Sequence, residues 1–542
     1  MRFAVFFRSI NKTVPDRQVK EVSMQYQERW ERKIREFMDT YGIAGLAVAV
    51  SDREKILWHN AYGVTSVEKP WDKVTTQTLF RIASCTKITL GILVMRLVEE
   101  GRLDLDAPII QYVPWLQFRD NSTRDRITIR RLLSHSAGLP SEYTPDGPHD
   151  EDKLEEVLKE GLSTLEPVTR PEDQLYYYSN WGIRLVAYAV QSIMGKPFTQ
   201  LEKEYILQPL GMDHTTFTLC EAATFSLAVP HRAGPEVLHY IPVNATRHAV
   251  GGLFSTVDDM AKLARLLLND GAPLISPASM REMMTPQTSL YLNYRNEYGI
   301  TMRLKQYKTI ALAGHDGQSP PYFASIWTVP ERGFAVTLTL NTDGGDILST
   351  NLIPELILDD LCALPKSVEL WESGRYCPER ERLHEGTYLG DANGLFSLQM
   401  IDGKPVLRDK DGEHLLYPHS RSGVYYYTAG TQRVCVGLPA VNGGSADHLM
   451  LQSLLCRRVD AQPLPANTDL REYEGAYGTV LERYIVRCSE SGLSIEKNGG
   501  THACVYVFGD TFACDLGAVI FIRMHQKIVG VRVGSSTTHN KR

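Results

Sequence analysis

A serine three residues ahead of a lysine, Ser84-Cys85-Thr86-Lys87, stands where a strand-like stretch gives way to an apolar run predicted to be helical. On a helix that spacing puts both side chains on one face, one turn apart. A serine hydroxyl is a poor nucleophile near neutral pH unless a neighbouring base takes its proton, and a partly buried lysine with a lowered pKa can do so. A helix terminus adds positive potential that favours the anion formed as the proton leaves. Alone the pattern says little. At average composition it arises by chance on the order of twice in a chain of this size, and Ser84 as a cap beside a solvated Lys87 accounts for it equally well.

Two further groupings add chemistry. Leu175-Tyr-Tyr-Tyr178-Ser179-Asn180-Trp181-Gly182 offers a phenol and an amide two residues apart, ahead of another apolar helix. Tyr178 can exchange protons with a serine and a leaving group, while Asn180 can hydrogen-bond Lys87 or a substrate carbonyl. Taken alone, three successive tyrosines are an aromatic core segment. The third grouping is Ala313-Gly314-His315-Asp316-Gly317-Gln318, a Gly-rich turn between strand-like Tyr307–Leu312 and Phe323–Val329. A glycine there lets substrate lie against an edge strand, and the amide of Gln318 can face a developing oxyanion. His315 supplies a donor beside the cleft. With an ordinary pKa near ~6.5 it is mostly neutral at about pH 7.5, which would favour uncharged substrates over carboxylates.

Placing these residues requires an ordered frame. From about Glu28 to Leu364 strand and helix patterns interleave: Ile43–Ser51 and Lys55–Tyr62 read as strands, Cys85–Glu100 as a helix with Ile88, Ile92, Met95 and Val98 near helical spacing. Amphipathic stretches follow at Ile127–Leu133, Trp181–Met194, Phe198–Leu207 and Val257–Leu268. Short apolar runs at Tyr307–Ala313, Phe323–Val329 and Phe334–Asn341 then return. Strands, then helices, then strands suit one sheet built from both chain ends, flanked by helices, with a helical lobe inserted.

The three groupings, in this order, resemble the serine β-lactamase and penicillin-binding-protein superfamily, in particular the class C-like branch of esterases, transesterases and D-aminopeptidases. Arg131-Leu-Leu-Ser-His-Ser-Ala-Gly-Leu-Pro140, Gln208-Pro-Leu-Gly-Met212 and Gly251-Gly-Leu-Phe-Ser-Thr-Val-Asp-Asp259 look like landmarks of that branch, so the match covers roughly residues 28–355. The resemblance implies an α+β fold, an antiparallel sheet with helices on its faces and a helical lobe. It implies Ser84 as acyl-forming nucleophile, Lys87 as its base partner, Tyr178 as second proton-transfer group and Asn180 as an orienting side chain. His315 and Gly317 stand at the family's Lys/His-x-Gly, and the oxyanion hole would be the amides of Ser84 and Gln318. His315 replaces the lysine of true β-lactamases, and Pro171-Glu-Asp-Gln174 lacks the usual Pro-Gly.

Composition agrees with an enzyme of this kind. With 58 Lys+Arg against 64 Asp+Glu and a formal charge of −6, scattered basic residues give no reason to bind nucleic acid. Apolar stretches such as Leu90–Val98 stop well short of the ~18–20 residues of a bilayer span. The apolar core of the N-terminus ends at Arg8, short for a signal peptide, and nine singly spread cysteines form neither a disulfide framework nor a zinc set. A cytoplasmic protein is expected, although sequons stand at Asn11, Asn121 and Asn244. No cofactor or metal is called for: the 15 histidines show no HExxH or HxHxDH spacing. The expected partner is a small-molecule acyl substrate, with oligomeric state left open.

Beyond an N-terminal extension (1–27) and the catalytic region (28–364), residues 365–382 read as a charged linker. Residues 383–460 and 470–542 read as two β-barrel-like modules, each opening on Glu-Gly-x-Tyr at Glu385–Tyr388 and Glu474–Tyr477. A single larger β-domain is the alternative. Such modules resemble the cleft-flanking barrels of a D-aminopeptidase. The leading function is a serine hydrolase or acyltransferase acting on an ester, thioester or amide; a D-aminopeptidase-like peptidase and a catalytically silent scaffold are the other readings.

Overall fold

A computed structural model describes residues 21–140, 153–232, 236–238, 245–440, 446–460, 462–466, 468–478, 483–489, 492–497, 499–524, 527–534 and 539–541. The N-terminal segment around Arg8 and the sequons at Asn11 and Asn244 lie outside the described residues.

The N-terminal region, residues 28–364, is organised by an eight-stranded antiparallel sheet of β1 (Gly45–Ser51), β2 (Ile56–Gly63), β3 (Thr288–Ser289), β4 (Asn296–Tyr298), β5 (Arg303–Tyr307), β6 (Ile310–Ser319), β7 (Tyr322–Val329) and β8 (Phe334–Leu340), in the order β2-β1-β8-β7-β6-β5-β4-β3. Both chain ends of the region contribute, as the sequence pattern requires. Side-chain size alternates along β1. Leu46, Val48 and Val50 meet Trp30, Ile34 and Met38 of helix α1 (Met24–Tyr41) and Ile357, Leu358 and Leu361 of the C-terminal helix Ile353–Leu361. Ala47 and Ala49 face the other way, leaving room for Val257 and Ala261 of the helix Val257–Leu268. A strand covered on both faces is apolar throughout, which is why Gly45–Ser51 has no polar alternation.

The inserted lobe packs around α2 (Lys87–Glu99), which carries buried residues all round its circumference, from Lys87 to Leu97. Gly91 sits where a methyl group would come within 2.1 Å of Thr301 Oγ1, so close approach excludes a side chain. The helix Asn180–Met194 packs beside α2. The predicted helix at Phe198–Leu207 begins as an α-helix (Phe198–Glu202) and finishes as a π-turn (Lys203–Leu207).

Two separate β-sheets follow. The first has nine strands, and its edge strands Gly412–Leu415 and Tyr417–Pro418 are consecutive in the chain, so it curls until it nearly closes. The second is an eight-stranded meander whose ends meet at Tyr477 and Lys541. The repeated Glu-Gly-x-Tyr does the same work in each. Tyr388 OH donates to the His384 carbonyl at 2.8 Å and Tyr477 OH to the Tyr473 carbonyl at 2.5 Å. Glu385 accepts from the Met400 amide and Glu474 from the Cys488 amide, both at 2.8 Å. Gly386 and Gly475 take φ of +155° and +150°, which favours glycine.

The charged stretch 365–382 is less detached than its composition suggests. From Trp371 onward it docks on the first barrel: Trp371 packs edge-on against Tyr426, the Gly374 amide donates to the Pro418 carbonyl, and fully buried Glu381 accepts from Tyr425 OH at 2.9 Å. Charge alternation hid this because the buried carboxylate is held by a partner distant in sequence.

Candidate active site

The turn bearing Ser84 is a short 3-10 segment, Ala83–Thr86, that runs directly into α2. Ala83 adopts φ +45°, a left-handed conformation costing a residue with a Cβ on the order of 1–3 kcal/mol, and the surroundings hold it there. Two glycines press on it. A Cβ at Gly317 would lie 2.1 Å from the Ile82 carbonyl oxygen, and one at Gly251 would lie 3.1 Å from the Ala83 carbonyl carbon. The Ile82 amide donates to the Leu253 carbonyl, so the Gly251-Gly-Leu-Phe landmark is bonded to the turn it supports.

Three predicted residues converge. Lys87 Nζ stands 3.0 Å from Ser84 Oγ and donates to the Val250 carbonyl at 2.6 Å, while Tyr178 OH lies 2.9 Å from the same Oγ. Lys87 is fully buried, and its Nζ lies 5.1 Å from the Tyr178 ring centroid. Burial pushes the Tyr178 phenol well above its ordinary range, opposed by its hydrogen bond with Ser84, so it remains a protonated hydroxyl at physiological pH. Asn180 opens the helix behind Tyr178, but its Oδ1 is buried without a hydrogen-bond partner among the described residues, so the expected bond to Lys87 through that oxygen is not formed.

Gly317 and Gln318 lie in the second half of β6. Pairing of β6 with β5 ends at Gly314, whereas pairing with β7 continues to Ser319, so residues 315–319 form a local sheet edge beside the Ser84 turn. The segment expected to be a Gly-rich turn is therefore the continuation of a ten-residue strand. Gln318 has an exposed side chain.

His315 departs from expectation. It is 1% exposed, and both ring nitrogens are taken: Nδ1 donates to the Asp316 carbonyl at 2.5 Å and Nε2 accepts from Tyr298 OH at 2.8 Å. Burial, with Arg303 and Lys87 nearby against the opposing pull of Asp316, lowers its pKa to about 3. It is thus a neutral brace beneath the site rather than a titrating donor in the cleft. Replacing His315 with glutamine is expected to leave the shape of the kcat/KM profile between about pH 5.5 and pH 8 unchanged. An inflection near the ordinary histidine pKa that vanishes in the variant would contradict this placement.

Sequence reasoning missed the residues that hold Tyr178. His135 takes φ +54° inside the Arg131–Pro140 landmark, and its ring lies 4.2 Å from that of Tyr178. Its carbonyl accepts from the Tyr177 amide at 2.8 Å and its Nδ1 from the Ser179 amide at 3.2 Å, gripping the backbone on both sides of Tyr178. Below lie Tyr298 and the half-buried ion pair of Arg303 with Asp316 at 2.9 Å. The landmark motif was visible, yet nothing local pointed to His135 as the clamp.

A buried Ser-x-x-Lys turn, a tyrosine on its hydroxyl and a glycine-bearing strand edge, all set on an antiparallel sheet with a helical lobe, define the serine β-lactamase and penicillin-binding-protein fold. The chain belongs to the Beta-lactamase family, whose model matches residues 30–352. Among curated relatives it is 27% identical over 350 residues to penicillin-binding protein 4 of Amycolatopsis lactamdurans, covering 60% of this chain and 88% of that one. It is 26% identical to the unguisins hydrolase ungD' of Aspergillus campestris, covering 61% and 65%. Among solved structures, SurE superposes with TM-score 0.60 at 20% identity, over 80% of this chain and 99% of that one. The hydrolase EstCE1, described as having promiscuous acyltransferase activity, superposes with TM-score 0.53 at 20% identity, over 63% and 100%. Among the described residues no helix is long and apolar enough to cross a membrane, and no three His, Cys, Asp or Glu side chains group as metal ligands.

Proposed function

We propose that the chain is a serine hydrolase or acyltransferase that forms an acyl-enzyme on Ser84 from an ester, thioester or amide. The observation that carries this is the placement of Lys87 Nζ and Tyr178 OH at 3.0 and 2.9 Å from one serine oxygen. Ser84 Oγ bonds to the substrate carbonyl carbon while Lys87 Nζ takes the hydroxyl proton. The backbone amides of Ser84 and Gln318 stabilise the oxyanion. As the carbonyl re-forms, the bond to the leaving alcohol, thiol or amine breaks, and the leaving group takes a proton relayed through the Tyr178 hydroxyl. Water, or a second nucleophile in acyl transfer, then releases the acyl group by the same steps in reverse. Relatives named for penicillin binding and for hydrolysis of unguisins support acyl chemistry, and the likeness to EstCE1 accommodates both outcomes of the second step.

Intact-mass measurement after exposure to esters, thioesters, β-lactams and D-amino-acid amides tests this. At least one class should leave an acyl mass on the Ser84 peptide that is absent from Ser84→Ala. If no class acylates the protein and none is turned over, the reading fails.

A further inference from the structure

A cavity of about 430 Å³ opens where the N-terminal region, the first barrel and the second barrel meet; Ser84, Lys87 and Tyr178 do not line it. Its volume falls within the range of small-molecule sites, roughly 300–1,000 Å³. The walls mix charged groups with apolar and aromatic side chains, the latter including Leu165 and Trp181 from the N-terminal region, Leu455 from the first barrel and Phe508 from the second. The charges on these walls are unequally matched. Asp391 is held by Arg532 at 2.8 and 3.2 Å and accepts from Tyr177 OH at 2.5 Å. Asp510 is held by Arg523 at 2.8 and 3.0 Å and accepts from Tyr473 OH at 2.9 Å. Glu166 pairs with Arg119 at 3.3 Å.

Arg457 is the exception. It lines the cavity with its guanidinium 4.5 Å from the Phe508 ring centroid, and among the described residues it meets no carboxylate within ion-pair distance. Every acid on the walls is committed elsewhere, so a partly buried cation faces the space without a counter-ion. A guanidinium offers a planar fork that matches a carboxylate bidentately, and its stacking on Phe508 fixes the direction of that fork.

We propose that this three-way junction is an accessory binding site for a small carboxylate with an apolar or aromatic body, its carboxylate on Arg457 and its body against Phe508 and Leu455. Occupancy would tie the two barrels to the N-terminal region, because Tyr177 and Trp181 on the wall flank Tyr178 and Asn180 in sequence. The site stands independently of the acyl-serine reading, since no step at Ser84 is needed to fill it.

The test is calorimetric titration of the full chain with 4-phenylbutanoate and, separately, with its neutral primary amide. One saturable site is expected, with the amide about tenfold weaker or worse, because it lacks the charge-assisted pair. Arg457→Gln should weaken the carboxylate by a similar factor and narrow the gap to the amide. Arg457→Lys should fall between, keeping charge and losing the fork. Ser84→Ala should bind as wild type does. Equal affinity for acid and amide, undiminished binding in Arg457→Gln, or loss of binding in Ser84→Ala would each overturn the assignment, as would the absence of saturable binding at millimolar ligand. Should Arg457→Gln fail to fold, the acid-to-amide comparison on wild type and the lysine variant decide.

Discussion

Replacing Ser84 with alanine is expected to lower turnover by roughly 10⁴–10⁶-fold and to abolish covalent labelling, while leaving the melting temperature close to that of wild type. Only a hydroxyl is lost, and the strained turn is held by the backbone of Ile82 and by the glycines at 251 and 317 rather than by the serine side chain. Lys87→Met and Tyr178→Phe should each lower kcat by roughly 10²–10⁴, the usual scale for losing a proton-transfer group. Phenylalanine at 178 keeps the ring packed against His135, so its loss reports the hydroxyl alone. Groups that act on one oxygen are not additive: Ser84→Ala combined with Lys87→Met should be no slower than Ser84→Ala by itself. Steady-state kinetics on the acylating substrate, with thermal melts as the folding control, measure all four. A double variant that falls a further hundredfold or so below the single one would show that serine and lysine act independently, and the shared acyl step would be lost.

What local pattern revealed, and what it did not, follows from the range of the contacts involved. Ser84 and Lys87 are three residues apart on an element whose helical period is plain, so their shared face was legible. The sheet was legible for β1, β7 and β8, where burial on both sides makes strands read as unbroken apolar runs. It failed across residues 303–319. The run Tyr307–Ala313 straddles a hairpin at Lys308, whose φ is +48°, and the polar, glycine-rich continuation through Gln318 has no apolar alternation to mark it as strand. Its glycines answer close backbone approach, not a turn: a Cβ at Gly314 would lie 1.9 Å from the Ile326 carbonyl oxygen. That misreading left His315 exposed in expectation when Tyr298 encloses it in the fold.

The barrels show the same division. The Glu-Gly-x-Tyr repeat marked both because each tyrosine bonds four residues back, a local contact that sequence can display. Their docking is long-range and left no mark. Met450 and Leu455 of the first barrel pack on Leu175, Tyr176, Leu290 and Tyr298, immediately before and beneath Tyr178. Through this apolar contact the barrel is part of the support of the site.

Glu202 gives the largest expected effect on stability. It is fully buried in the helix Phe198–Glu202, beside the helix that carries Lys87, and neither carboxyl oxygen has a hydrogen-bond partner among the described residues. Burial, opposed by the nearby Thr89 hydroxyl, raises its pKa from 4.5 to about 8. The folded state therefore holds a proton that the unfolded chain releases near its ordinary pKa, so the folded state binds more protons across that interval. Stability is greatest below about pH 4.5, declines as pH rises toward about 8, and is flat with respect to this group beyond. Three to four pH units at about 1.4 kcal/mol each make the swing on the order of 5 kcal/mol. Glu202→Gln replaces the acid with a neutral side chain of equal size, so its own burial cost is the same at every pH. Urea unfolding of both proteins at about pH 5 and about pH 8 should show the variant near or slightly below wild type at the lower pH and more stable by several kcal/mol at the higher. Other titrating groups shift both proteins alike and cancel in the difference. If that difference is the same at the two pH values, Glu202 is ionised in the fold, and some group must satisfy it there.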